Sequence, residues 1–229
     1  MSEVKTNKIS PSTGTALTLG DSGDTFTVPA GATLAVASGA TIDVTSATKT
    51  GFPAAGLNFI STTTNNAAVS TWDFTDVFTS TYSVYFMTFE NIYLDTANQE
   101  LRLSVGNSDL SSLENGGFVI WETIIAATSS TTYRASGSAT YCDLSDTNST
   151  HIPVSGHCYF SSPQDSSIRT TYYGISRWYR QATNHRMGQF MFYGEDSESH
   201  VSFRFSTSSG NLGSASNVAR VTLYGLSES

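Results

Sequence analysis

The sequence predicts an all-β protein: a short N-terminal ladder of eight-residue β-repeats, then an antiparallel, jelly-roll-like β-sandwich. Three observations carry this. Ser and Thr make up roughly 30% of the 229 residues, well above ordinary usage, while charged residues reach only 13%. Aromatic residues stand at 12%, enough bulk to bury a core. Thr, Val, Tyr and Phe favour strands, strong helix formers are sparse after the first fifty residues, and Gly, Ser, Asn and Asp supply turns.

The first element, residues 1–22, is polar and contains Lys5-Thr6-Asn7-Lys8-Ile9-Ser10-Pro11. It reads either as a frayed terminus or as an attachment arm that orders on docking to a larger particle. The N-terminus carries no apolar signal region, and no long apolar run follows. The expectation is a protein made in a cytoplasm, neither exported by the ordinary secretory route nor inserted in a membrane. Asn148-Ser149-Thr150 matches a glycosylation sequon that non-secretion makes accidental.

The second element, residues 23–50, holds the ladder. Gly23, Gly31 and Gly39 recur every eighth residue, as do Thr25, Thr33 and Thr41. Phe26, Leu34 and Ile42 form an apolar column, and Val28, Val36 and Val44 form a second. Each unit sets two apolar side chains two residues apart, on one face of a short strand. One such unit has almost no core of its own, so it must stack on neighbours or on sister chains. Three units are few for a single-chain solenoid, and three intertwined chains would triple the buried stripe. The expectation is therefore a homotrimeric stalk; the alternative is a small edge hairpin packed on the main domain.

The third element, residues 51–229, opens with the linker Gly51-Phe52-Pro53-Ala54-Ala55-Gly56 and continues as eight to ten strands. Residues 82–94 form a long aromatic and β-branched run. Residues 100–105 alternate with period two after the turn 95–98, so the two read as a hairpin. Asn115-Gly116-Gly117 reads as a turn before a strand at 118–125. Further strands fall at 152–160, 168–180, 189–193 and 201–206, with a closing strand at 217–226 whose removal is expected to destroy the fold. The pattern is that of a two-sheet antiparallel sandwich.

The formal net charge of -8 argues against a nucleic-acid groove and weakly against anionic membranes. Cys142 and Cys158 show no zinc or CxxC spacing. Two buried free thiols are expected, with a single bridge as the alternative. No nucleophile elbow, phosphate loop or HExxH motif occurs, so neither enzyme nor cofactor is expected. The pairs Asp73/Asp76 and Asp143/Asp146 have the spacing of surface turns rather than of a hydrolase dyad. Glu195, Asp196, Glu198 and His200 could converge on a hard cation, but a solvated turn is expected and no metal is assigned. His151 and His157 are expected to be structural.

The recognition candidate is the segment with Tyr172, Tyr173, Arg177, Trp178, Tyr179, Arg180, His185 and Arg186. Aromatic faces can stack on sugar rings and Arg can bind acidic sugars bidentately. The competing reading places Trp178 or its alternating neighbours in the core and pairs the arginines with carboxylates across subunits.

Residues 5–11 followed by Gly20 to Leu34 resemble the opening of tail-fibre-like proteins of marine and aquatic phages. The run Ser209-Gly210-Asn211-Leu212, followed by Val221 to Leu226, is similar to the closing strand of β-sandwich tips in phage structural proteins. The resemblance covers about a third of the chain. It implies a trimeric virion protein, made in the host cytoplasm, bound to other virion proteins through residues 1–22 and carrying an outward β-domain. The expected function is a short tail fibre contacting host surface polysaccharide. A capsid decoration protein or head fibre is the alternative.

Overall fold

In the computed structural model the chain divides into two compact units, Met1–Thr50 and Gly51–Ser229. The residues described are 27, 56–124, 131–145, 153–179, 185–213 and 217–227. The expected arm, the ladder columns of Phe26, Val28, Leu34, Val36, Ile42 and Val44, the sequon, His151 and Arg180 lie outside them.

The second unit is all-β, with no helix among the described residues. Its strands are β1 (Gly56–Asn65), β2 (Thr71–Phe74), β3 (Val84–Tyr93), β4 (Leu101–Gly106), β5 (Gly116–Ile124) and β6 (Thr131–Ala139). Then come β7 (Cys142–Asp143), β8 (Pro153–Ser161), β9 (Thr171–Tyr179), β10 (His185–Gly194), β11 (Ser202–Thr207) and β12 (Ala219–Ser227). One sheet has eight strands in the order β1-β12-β3-β8-β9-β10-β5-β6; the other has four in the order β2-β11-β4-β7. Every neighbouring pair is antiparallel.

The two sheets form a β-sandwich around one aromatic core. Phe89 on β3 meets Phe205 on β11 at 5.6 Å between ring centres, and Phe160 on β8 stacks on Phe203 at 5.6 Å. The Tyr172 hydroxyl crosses from the large sheet to donate to the Leu103 carbonyl at 2.7 Å. Strict alternation builds this core: along β10 every second residue is buried and every other one exposed.

The core is too crowded for a side chain at every inward position. Gly156 lies opposite Phe89, and Gly174 opposite Phe190, in the strand register. A Cβ on Gly174 would collide with the His157 carbonyl oxygen and sit 2.8 Å from the Phe190 ring. The missing side chains are the space those rings occupy.

Two local expectations are corrected. The segments at 82–94 and 100–105 are not a hairpin: β3 pairs with β12 and β8, while β4 pairs with β11 and β7. Both strands have a buried face, and closing the sandwich puts those faces opposite each other rather than side by side. Gly116 and Gly117 open β5 instead of forming a turn; the Tyr193 ring covers Gly117, its register partner. The closing strand lies between β1 and β3 with Val221 and Leu223 buried. Cys142 and Cys158 are buried free thiols, and burial holds both well above the usual thiol range.

Candidate functional site

The recognition segment spans β9 and β10, and the strand period divides it. Tyr172, Trp178 and Arg186 point inward and are buried. Tyr172 stacks on Phe192 at 4.6 Å. Arg186 donates through Nη1 to Glu122 Oε2 at 2.9 Å. These three are core residues and cannot touch a glycan; a period of two sends alternate side chains to opposite faces. Tyr173 and Arg177 remain on the outer face. Tyr179 and His185 sit opposite each other at the strand ends, with ring centres 4.4 Å apart.

That outer face is the broadest exposed apolar surface described. One register row crosses the sheet through Phe59, Tyr224, Phe86 and Tyr159. It continues through Tyr173, Met191 and Val119. The next row runs from Thr62, Thr222 and Thr88 to His157, then Ile175, Gln189, Trp121 and Tyr133. The two halves differ in chemistry. On β1-β12-β3-β8 the outward side chains are mostly aliphatic, aromatic and hydroxylated, together with His157 on β8 and the register partners Arg220 and Glu90. On β8-β9-β10-β5-β6 aromatic rings flank long polar groups.

The second half carries a shallow trough of about 320 Å³ lined by Trp121, His157, Tyr159, Tyr173, Gln189 and Met191, among others. Tyr159 and Tyr173 stack at 5.5 Å with 23° between their planes, and form one wall. Trp121 lies 5.9 Å from Tyr133 and forms the other. Trp121 is 45% exposed and Tyr173 49%. Two strand spacings and one row separate these walls, about 12 Å. Gln189 lies between them with an amide that can donate and accept. A neighbouring hollow of about 380 Å³ adds Glu90 and Arg177.

Beneath this half the two sheets are joined by charge. Glu122, 1% exposed, receives Arg186 and also Arg134, whose Nη2 lies at 3.2 Å. Arg134 and Arg102 both reach Asp143, at 3.3 and 3.2 Å. Burial pushes the Asp143 carboxyl up to about 6, against the opposing pull of the two arginines.

Asp146 lies outside the described residues, and most of the remaining candidates make internal contacts. Asp73 is held by Arg204 through two bonds of 2.6 Å, and Asp76 occupies a turn with positive φ. His200 is buried; its Nδ1 lies 2.8 Å from Thr170 Oγ1 and its Nε2 3.2 Å from Glu114 Oε2. Glu195 accepts from Asn115 at 2.6 Å, and the Asp196 amide donates to Glu114 at 3.1 Å. Glu114, Glu198 and His200 have ligand atoms within 4.8 Å of one another, the one grouping among the described residues able to hold a metal ion. His200 and Glu114 already satisfy each other there; residues 195–199 are exposed, as the expected solvated turn requires, and only His200 is buried.

Sequence reasoning missed Trp121, Tyr133, Tyr159, Gln189 and Met191. The alternation of β10 could have grouped Gln189 with Met191, but no local signal places β5 beside β10.

Comparison with protein-family models, with curated proteins and with solved structures returns no match. No helix among the described residues is long and apolar enough to cross a membrane.

Proposed function

We propose that the chain is a non-enzymatic structural protein of a phage virion, a short trimeric tail fibre whose sandwich head adheres to host surface glycans. The observation that carries adhesion is the trough between the Tyr159–Tyr173 stack and Trp121, with Gln189 between. Exposed aromatic rings offer apolar faces to sugars, and an amide between them can read hydroxyls. Walls about 12 Å apart suit an oligosaccharide rather than a single sugar. Weak contacts of this kind gain from being presented three at a time.

The strand order supports the virion reading. Sheets ordered β1-β12-β3-β8 and β2-β11-β4-β7 have jelly-roll topology, with hairpins β5–β6 and β9–β10 widening one sheet. The ion pairs of Asp73 and Asp143 favour a non-catalytic role, since both carboxylates are engaged by arginine.

Glycan-array binding tests the adhesive function. The full chain should bind a restricted set of host polysaccharides, and Trp121→Ala and Tyr173→Ala should each weaken binding about five- to 150-fold, from about 1–3 kcal/mol per lost stacking contact. Silence across host polysaccharides overturns it. The breadth of the same eight-stranded face favours a second reading, a capsid decoration protein. Labelled antibody on intact particles separates the two: label on capsid faces excludes the fibre.

A further inference from the structure

We infer that the other half of the outer face, on β1-β12-β3-β8, is where sister copies of this chain pack. The inference deepens the trimeric part of the proposed function and rests on it for the partner; its surface adjoins the glycan trough along β8, where Tyr159 borders both.

Composition is the first argument. Along the register rows of these four strands formal charge appears only in the last, where Arg220 and Glu90 are register partners, and His157 on β8 adds an imidazole. Apart from His157 at its β8 border, the patch is apolar or hydroxylated, with a polar rim at one end and no formal net charge, in a chain of formal charge -8. Neutrality removes the repulsion that would otherwise oppose association of acidic copies. An apolar centre with charges at the rim is the anatomy of a protein–protein contact.

Exposure is the second argument. Phe59 is 63% and Leu57 54% exposed, and both lie on β1, the outermost strand of the sheet. An edge strand bearing large apolar side chains invites pairing unless something covers it.

Size is the third. At ordinary strand spacing and rise the four strands offer on the order of 500 Å² per copy, so a contact would bury about 1,000 Å² in total, the lower bound for a specific interface. The rings are also already ordered by one another. Phe59 meets Tyr224 edge-on at 6.0 Å, and Phe86 lies 6.2 Å from Tyr224 and 4.8 Å from Tyr159. Prepacked rings lose little freedom on docking. A sugar polymer fits this half less well, because hydroxyls are its main polar groups and Thr62 and Thr222 already bond each other at 3.0 Å.

The test uses the full chain carrying Phe59→Cys, with Tyr133→Cys at the opposite sheet edge as the control. The native cysteines are buried and should stay silent. Light scattering gives the mass, and the rate of maleimide labelling is read on the same sample. The expected result is an oligomer in which Cys at position 59 reacts at least tenfold more slowly than Cys at position 133. An oligomer in which both positions react at equal rates overturns this surface and leaves the trimeric reading standing. A chain that stays monomeric at high concentration overturns both.

Discussion

Asp143 carries a carboxyl that burial lifts out of its ordinary range. Its carboxyl is raised from 3.8 to about 6 because burial outweighs the attraction of Arg134 and Arg102. A folded-state value above the unfolded one means the native protein holds the proton longer. Stability is therefore full below about pH 4 and declines as pH rises through about 6, by on the order of 3 kcal/mol. Asp143→Asn should flatten that decline when urea midpoints are compared between pH 4 and 7. Parallel curves for the two proteins would show that Asp143 does not cause it. Glu122 sits deeper and bonds two arginines, so Glu122→Gln should cost about 3–5 kcal/mol, the usual penalty of leaving a buried cation unmatched. Loss below about 1 kcal/mol by denaturant titration would mean water reaches the site.

At the scale of strands, the inward glycines and the last strand make the sharpest claims. Gly174→Ala should destabilise strongly, because the new Cβ meets backbone on the neighbouring strand as well as the Phe190 ring. A thermal midpoint within a few degrees of wild type would show that β8 and β9 can part more easily than their register suggests. Removing residues 219–229 deletes β12, the partner of both β1 and β3, and should leave no cooperative unfolding transition. Most strands were legible from alternation: the runs at 82–94, 152–160, 201–206 and 217–226 appear as β3, β8, β11 and β12. β1, β2, β6 and β7 were not. β7 is only Cys142–Asp143, too short to show a period, and β6 has few apolar residues because its outward positions lie at a sheet edge.

At the scale of the whole molecule, the proposed assembly is held by apolar surface rather than charge. Its mass by light scattering should therefore persist from low salt to about 1 M, where the screening length falls to about 3 Å. Dissociation by salt alone would show that ion pairs hold it. The two proposed surfaces share one sheet, so the width that β9, β10, β5 and β6 add leaves room for adhesion beside the self-contact.

Sequence alone determined the all-β class, the turn-rich sandwich and the core character of alternate residues, because period-two patterning and turn chemistry are local. It also located the aromatic segment at 172–193. Only the tertiary structure decided that Tyr172, Trp178 and Arg186 face inward while Tyr173 faces out, and that Tyr173 shares a trough with Trp121. Strand pairing joins residues more than fifty positions apart, and β5 reaches β9 only through β10. No local pattern encodes that order; it follows from how the two sheets close over a common core.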